Sequence, residues 1–302
     1  MELVRPNAEI WEQGTTLADM WKHIARCTRV CYQSEKKDNE ETEEDFVKRV
    51  ILRHKPWNSE ANHLSMLEHG TVYLMCKADE EGPGLDKYDY NKYSKFVYKD
   101  FNSYVTTNLR VIYENGWLDD LKYSCAPTEH HIKRVTVSFT TNIGVSREFN
   151  RHRVNSIAEE STRYCNYNKR NDGQIKIGLP AWLLDDGSIG YINHHTEDTI
   201  DSWCEDIYDQ SYDQWCDIDY YLFALTTCEF CYNALIDKGW KPQQAREVLP
   251  LATKTQLIHT AFVDDWKHFF ALRADGVSGP PHPNAKLVAA PLKEEFIKRG
   301  LL

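Results

Sequence analysis

A strand, a short helix and a burst of positive charge follow one another between Arg134 and Tyr164. This order limits the possible folds more than any other stretch. Arg134 to Thr140 is a short run rich in β-branched and aromatic residues, and its pattern predicts a strand. The strand feeds a short helix, Gly144 to His152. At and beyond the end of that helix stand Arg151, His152, Arg153 and Arg163, four cationic or potentially cationic side chains within thirteen residues. Arg147 adds a fifth, in a chain whose formal net charge is −10. Such a local reversal of sign suits an anion site, most simply for the phosphates of a nucleotide. The competing reading is a solvated charged face balanced by Glu148, Glu159 and Glu160. Charge alone does not separate the two.

The remaining pattern predicts a mixed α/β chain. Helical periodicity covers residues 17–35 and 42–54, joined by a charged connection from Glu35 to Glu44. Thr71 to Lys77 reads as a strand, and Ala78 to Gly84 as a turn. Lys87 to Tyr123 reads as partly helical. A strand is expected over Gln174 to Ile177, then turn chemistry at Asp185-Asp186-Gly187. From Thr196 a long helix is expected, because Ile200, Trp203, Ile207, Trp215, Ile218 and Leu222 recur at spacings of three, four or their sums. Gly239 closes it, and Pro242 suits the first turn of the next helix. Thr253 to Val263 alternates as a strand does. Asp264-Asp265 then favour a helix start, and Asn284 can cap a last helix after a Gly/Pro loop. No internal repeat or low-complexity linker interrupts the 302 residues, so one α/β (α+β mixed) domain is expected over 1–302.

Composition excludes several classes. Hydrophobic content of 41% and aromatic content of 12% are those of a folded globular chain. No apolar run approaches the ~18–20 residues that span a bilayer, and the first residues lack the apolar core of a secretory signal. Nine scattered cysteines fit reduced thiols in a cytoplasmic compartment. The acidic balance argues against nucleic acid as a partner. Cys228-Glu229-Phe230-Cys231 stands alone within an apolar surrounding and reads as core packing of a buried helix rather than metal or redox chemistry. His130-His131 reads as a surface turn. His63, Glu68 and His69 imitate a metal site, but a further well-spaced ligand is not evident, and no metal is expected.

The wording of the cationic stretch adds more than its charge. Arg151-His152-Arg153, seven residues, then Ser161 resembles the signature of the flavin-dependent thymidylate synthases. Glu159-Glu160-Ser161-Thr162-Arg163-Tyr164 is similar to the tail of that signature. Two further segments resemble the same family in order and spacing. One is His63-Leu64-Ser65-Met66-Leu67-Glu68-His69. The other is Ala245-Arg246-Glu247-Val248-Leu249-Pro250-Leu251, followed by Leu272-Arg273-Ala274-Asp275. The resemblance runs from about His63 to Asp275 and leaves 1–60 and 85–125 as additions.

That resemblance implies a central sheet flanked by long helices, with an extended N-terminal segment. It implies reductive methylation of deoxyuridylate (dUMP) to thymidylate. The one-carbon donor would be 5,10-methylenetetrahydrofolate, with FAD as the hydride carrier and NADPH as its reductant. It further implies a homotetramer with FAD sites between subunits. Arg273 would be catalytic, a fixed cation favouring ionisation of the pyrimidine. Arg151, His152 and Arg153 would lie against the flavin, together with Ser65, Glu68, Glu159, His268 and His63. Glu148, Arg151, Glu159, Ser161, Thr162, Arg163, Arg246 and Arg273 would hold the nucleotide. The structural alternatives are a helix-end pair for Glu68 and His69, and a plain surface arginine for Arg246.

The chain also departs from the family pattern. Glu148 stands where Gln is usual, and a carboxylate there would repel a phosphate unless protonated or paired, with Arg147 a candidate partner. Ala158 replaces a common Asn. Phe262 and Asp264 stand where Asn and Arg are often offered to FAD, His268 replaces an Asn, and Val277 stands where a His is frequent. These departures leave two alternatives open. One is methylation or hydroxymethylation of another pyrimidine nucleotide such as deoxycytidylate (dCMP), with Glu148 reading the exocyclic amine. The other is an inactive flavin- and nucleotide-binding homologue.

Overall fold

The computed structural model describes residues 1–35, 41–53, 63–77, 84–169, 173–185 and 214–302. Among the described residues nine strands fall into three sheets, where a central sheet was expected. They are β1 (Glu2–Val4), β2 (Asn7–Trp11), β3 (Thr71–Lys77), β4 (Lys95–Lys99), β5 (Asn102–Asn108), β6 (Arg134–Asn142), β7 (Ser156–Glu159), β8 (Lys176–Gly178) and β9 (Lys254–Phe262). The largest sheet has the order β2-β6-β9-β7 and is antiparallel throughout. A second antiparallel sheet has the order β3-β5-β4, and β1 pairs with β8 in parallel. The fold is therefore mixed α and β, with antiparallel sheets dominating.

The four-stranded sheet is buried on both faces, which its period of two makes legible. Val135, Val137 and Phe139 of β6 join Leu257 and Ala261 of β9 in a core with the helices Val263–Phe270 and Pro283–Lys298. Trp266 is fully buried there, and its indole N–H donates to the Val135 carbonyl at 3.1 Å. The opposite face carries hydroxyls. Thr136 and Thr260 are register partners and lie 2.8 Å apart through their Oγ1 atoms. His23, from the helix Leu17–Tyr32, meets Thr136 Oγ1 at 3.0 Å, and His69 Nδ1 meets Thr260 Oγ1 at 2.8 Å.

These buried imidazoles make a pH prediction. Burial pushes His23 down to about 4 and His259 down to about 3, and it lowers His69 well below the ordinary histidine range. An unfolded histidine titrates near ~6.5. Between that value and the folded ones, the unfolded chain binds more protons, so stability falls as pH drops below about 6.5. For His23 the loss is complete once pH has passed below about 4. Denaturation midpoints at pH 7.5 and pH 5 check this. A midpoint that is higher at pH 5 would contradict the burial of these neutral rings.

Local signals explain the element ends. Two strands end in an asparagine that caps the following helix. Asn108 Oδ1 accepts from Val111 N at 3.1 Å, and Asn142 Oδ1 accepts from Val145 N at 2.9 Å. Thr16 and Asp19 form a reciprocal cap on Leu17–Tyr32. The expected helix at 42–54 is α-helical over Glu43–Val47 and continues as a π-helical turn to Leu52. Gly239 has φ +93 after the helix Asp217–Asp237, and Pro242 opens the next one, as the sequence predicts.

Several expectations are corrected. Lys87 to Tyr123 is helical in part as expected, at Leu109–Glu114 and Leu118–Tyr123, but it also carries β4 and β5, joined through Asp100 and Phe101 at φ +51 and +60, which the expectation left out. Alternating aromatic and β-branched residues outweighed the polar content there. The strand expected at Gln174–Ile177 lies at Lys176–Gly178. The long helix expected from Thr196 is not continuous. Trp215 and Cys216 are non-helical, and Cys216 N donates to Asp219 Oδ2 at 2.9 Å to start Asp217–Asp237. The rest of that expectation, with the turns at Ala78–Pro83 and Asp186-Gly187, lies outside the described residues.

The Cys228 to Cys231 segment is helical but only half-buried, with Phe230 exposed between the two free thiols. His131 is buried, with Nε2 3.1 Å from the Leu74 carbonyl, so only His130 keeps the character of a surface turn. Asn284 does not cap the last helix. His282 Nδ1 accepts from its backbone N–H, and its own Oδ1 accepts from Ala181 N at 2.7 Å.

Candidate nucleotide and flavin site

The helix Ile143–Phe149 and the π-helical turn Ala271–Asp275 bring two distant segments together. Gly276 ends that turn at φ +73, where a Cβ would come within 2.7 Å of Pro281 Cδ and 2.8 Å of Gly279 O. Glycine is therefore required to close the turn that carries Arg273. Arg273 Nη1 donates to Glu148 Oε2 at 2.8 Å, and Nη2 donates to the Glu148 carbonyl at 2.8 Å. Arg273 Nε donates to His152 Nε2 at 3.2 Å. A guanidinium can only donate, so His152 must be neutral with its proton on Nδ1. Burial, then the charge of Arg273, then His268 hold His152 down to about 4. His268 is exposed and lies with its ring centroid 5.8 Å from that of His152. The expected partner of Glu148, Arg147, is exposed and makes no ion pair among the described residues. Arg273 takes that place.

A second group joins two of the matched segments. Arg246 Nη1 donates to Thr162 Oγ1 at 3.3 Å, Arg163 Nε donates to Gln243 Oε1 at 3.2 Å, and Ser161 Oγ accepts from Arg163 N at 3.3 Å. Arg163 and Arg246 are exposed. Glu159 stands at the end of β7. Its carboxylate accepts from Asn150 Nδ2 at 3.0 Å and from Thr255 Oγ1 at 3.1 Å. Glu160 pairs with Lys254 at 2.8 Å beneath the surface. The acids that could have balanced the cationic stretch are thus engaged elsewhere. Arg147, Arg151 and Arg153 are exposed without an ion pair among the described residues, which favours the anion-site reading.

The first motif lies apart from both groups. Glu68 pairs with Arg110 Nη1 at 2.5 Å, and His63 lies beside Arg53 Nη2 at 2.5 Å on the exposed side. Ser65 is exposed, while His69 is buried on Thr260. His63, Glu68 and His69 therefore turn to three different partners. Glu68 and Arg153 line one cleft of about 680 Å³, with Lys95, Arg110, Arg134 and Asn155. Sequence reasoning missed those last four. Arg134 opens β6, and Lys95 and Arg110 lie within 85–125, which the family motifs do not cover. Arg134 is half-buried with its Nε out of water, desolvation pushes it down to about 10, and its Nη2 donates to the Glu68 carbonyl at 3.1 Å. Asn155 Oδ1 and Arg134 Nε are buried without a hydrogen-bond partner. Unmet polar atoms in a cationic cleft fit a polar, anionic cofactor better than an apolar ligand.

The departures fall in different places. Ala158 is buried in β7 and packs in the core with Ile258. Phe262 lines the cleft, with Lys95 and Arg134 each 5.5 Å from its ring centroid. Asp264 pairs with Lys267 at 2.8 Å on the surface, and Val277 is exposed.

Arg246 and Arg273 are thus brought from two distant segments onto residues of the cationic stretch. The sequence matches the family described as thymidylate synthase complementing protein over residues 120–298, more than half of its length, and the chain belongs to that family. The His63–His69 motif lies outside the matched residues. A flavin-dependent thymidylate synthase from Geobacter sulfurreducens is 29% identical over 141 residues, 45% of this chain and 47% of that relative. The chain thus spans about half the length of that relative. Among solved structures, that of a UMP/dUMP methylase PolB from Streptomyces cacaoi bound with 5-Br dUMP matches at a TM-score of 0.43 and 15% identity. It covers 99% of this chain and 93% of that chain. Among the described residues no helix is long and apolar enough to cross a membrane.

Proposed function

We propose that this chain is a flavin-dependent thymidylate synthase that converts deoxyuridylate to thymidylate. In this reading it uses methylenetetrahydrofolate and NADPH as co-substrates and FAD as cofactor. The observation that carries the reading is the engagement of Arg273 by Glu148 and His152, residues of the cationic stretch about 120 positions away in sequence. Three of the five guanidinium N–H groups are used in that grip, which leaves one on each Nη for a pyrimidine. A cation fixed in this way stabilises charge that develops on the ring without reorganising at the moment of reaction. Arg246, Arg163, Ser161 and Thr162 hold the phosphate end, where hydroxyls, a backbone turn and two guanidinium forks suit a dianion. Arg151 and Arg153, unpaired and exposed, meet the flavin side. FAD in its reduced form, when bound, supplies the hydride. The exposure of His63 and Ser65 supports their reaching toward the flavin of a neighbouring subunit in a homotetramer.

Reading of deoxycytidylate by Glu148 is disfavoured, because Arg273 already occupies its Oε2. Mass spectrometry of the nucleotide after incubation with FAD, NADPH, methylenetetrahydrofolate and either nucleotide tests both readings. A methyl gain on deoxyuridylate is expected. Product from deoxycytidylate alone, or hydroxymethyl product, would replace the proposal with the divergent reading. Neither product, with FAD bound, would leave a binding homologue.

A further inference from the structure

Glu159 is held by two residues that no motif announces. Its register partner on β9 is Leu257. Thr255 lies two residues along β9 from that partner and on the same face, so a long side chain can reach it diagonally. The reach is made, because Thr255 Oγ1 donates to Glu159 Oε1 at 3.1 Å. Thr255 is only 2% exposed, so this hydroxyl is kept from water. Lys254, the preceding residue of β9, points to the other face and pairs with Glu160 at 2.8 Å. Lys254 is thereby spent, and Glu159 makes no ion pair among the described residues.

The second donor comes from the helix that leads into the cationic stretch. Asn150 caps the C-terminal end of Ile143–Phe149, immediately before Arg151. Its backbone N–H donates to Ser146 O at 2.8 Å, and its Nδ2 donates to Glu159 Oε2 at 3.0 Å. Its Oδ1 is buried without a hydrogen-bond partner. An amide beside a carboxylate must present its nitrogen, since two acceptors repel. Glu159 therefore dictates this orientation, and the amide oxygen goes unmet. An ionised carboxylate offers about four acceptor positions, two on each oxygen. One on each is taken by a neutral donor, so the charge and one position on each oxygen stay available to a ligand.

We propose that Thr255 and Asn150 are positioning residues of the nucleotide site. Each fixes one oxygen of Glu159, so that the carboxylate meets a hydroxyl or N–H donor of the nucleotide without reorganising. That Glu159 touches the nucleotide rests on the proposed function, whereas the grip on Glu159 rests on the two hydrogen bonds. Neither Thr255 nor Asn150 lies in the three segments that carry the family resemblance.

The test is titration of the full chain, supplied with FAD, with deoxyuridylate. The variants are Thr255→Val, Thr255→Ser, Glu159→Ala and the double variant Thr255→Val/Glu159→Ala. Valine keeps the shape of threonine without its donor, and thermal midpoints check that each variant folds. Asn150→Ala, at a half-buried position, takes the place of Thr255→Val if that variant does not fold. Thr255→Val is expected to bind deoxyuridylate on the order of 10-fold more weakly, the scale of losing one hydrogen bond to a charged group. Thr255→Ser keeps the donor and should restore wild-type affinity. In the Glu159→Ala background Thr255→Val should cause no further loss, because it acts only through that carboxylate. A lowered midpoint with unchanged affinity, or losses that add in the double variant, would overturn the positioning role and leave the nucleotide reading intact. A wild type that binds no deoxyuridylate would remove the nucleotide reading and the positioning role with it.

Discussion

Arg273→Ala should lower the rate of methyl transfer by about 10²–10³-fold while the protein still binds FAD, the scale of removing one fixed donor from a developing charge. The side chain is held by three acceptors, Glu148 Oε2, the Glu148 carbonyl and His152 Nε2, at 2.8, 2.8 and 3.2 Å, so its position is set before any substrate arrives. Arg273→Lys should recover little, because an ammonium cannot reach Glu148 and His152 together in the same plane. The variant has a second signature that a purely structural role would not give. With the neighbouring cation gone, His152 loses one of the charges holding it at about 4, and its titration by NMR should move upward. Loss of flavin with full turnover of the remaining holoenzyme would remove Arg273 from the chemistry.

Trp266→Ala should destabilise the fold by about 3–5 kcal/mol, the range for deleting a large buried aromatic. Trp266 is fully buried, and Phe269, Phe270 and Phe296 lie with ring centroids within 5.2–5.9 Å of it. It also satisfies the Val135 carbonyl, which the variant would leave without that donor. The thermal midpoint should fall on the order of 10 °C. Trp182 is half-exposed, and Trp182→Ala should change stability by less than about 0.5 kcal/mol. Equal midpoints for the two variants would show that the β6 face is not the main core.

The functional residues were legible where they form contiguous motifs. Arg151, His152, Arg153, Ser161 and Arg163 lie within one short stretch, and their residue types carry the anion chemistry without knowledge of packing. The strand at Arg134, the helix after it and the strand before Phe262 were legible for a similar reason, since their periodicity is local. Sequence reasoning failed where partners are chosen across the fold. Arg147 is adjacent to Glu148 in the chain, yet Arg273 is the partner, because successive helical residues point in different directions. Asn284 has the right identity for a helix cap, but its side chain satisfies Ala181 N instead.

The chemistry available to this protein was therefore written locally. Residue order supplied the cationic stretch and the apolar alternation that buries β6 and β9. The three-way division of the strands, the grip on Arg273 and the cleft at β4 were settled by packing over long separations. Lys95 and Arg153 are far apart in the chain and carry no mark of belonging together. They meet because β5 places β4 at the edge of its own sheet, while β7 carries its preceding loop along β9. Strand pairing is specified by which faces can be buried together. A linear pattern shows which faces a strand offers, and the packed core selects the partner that covers each one.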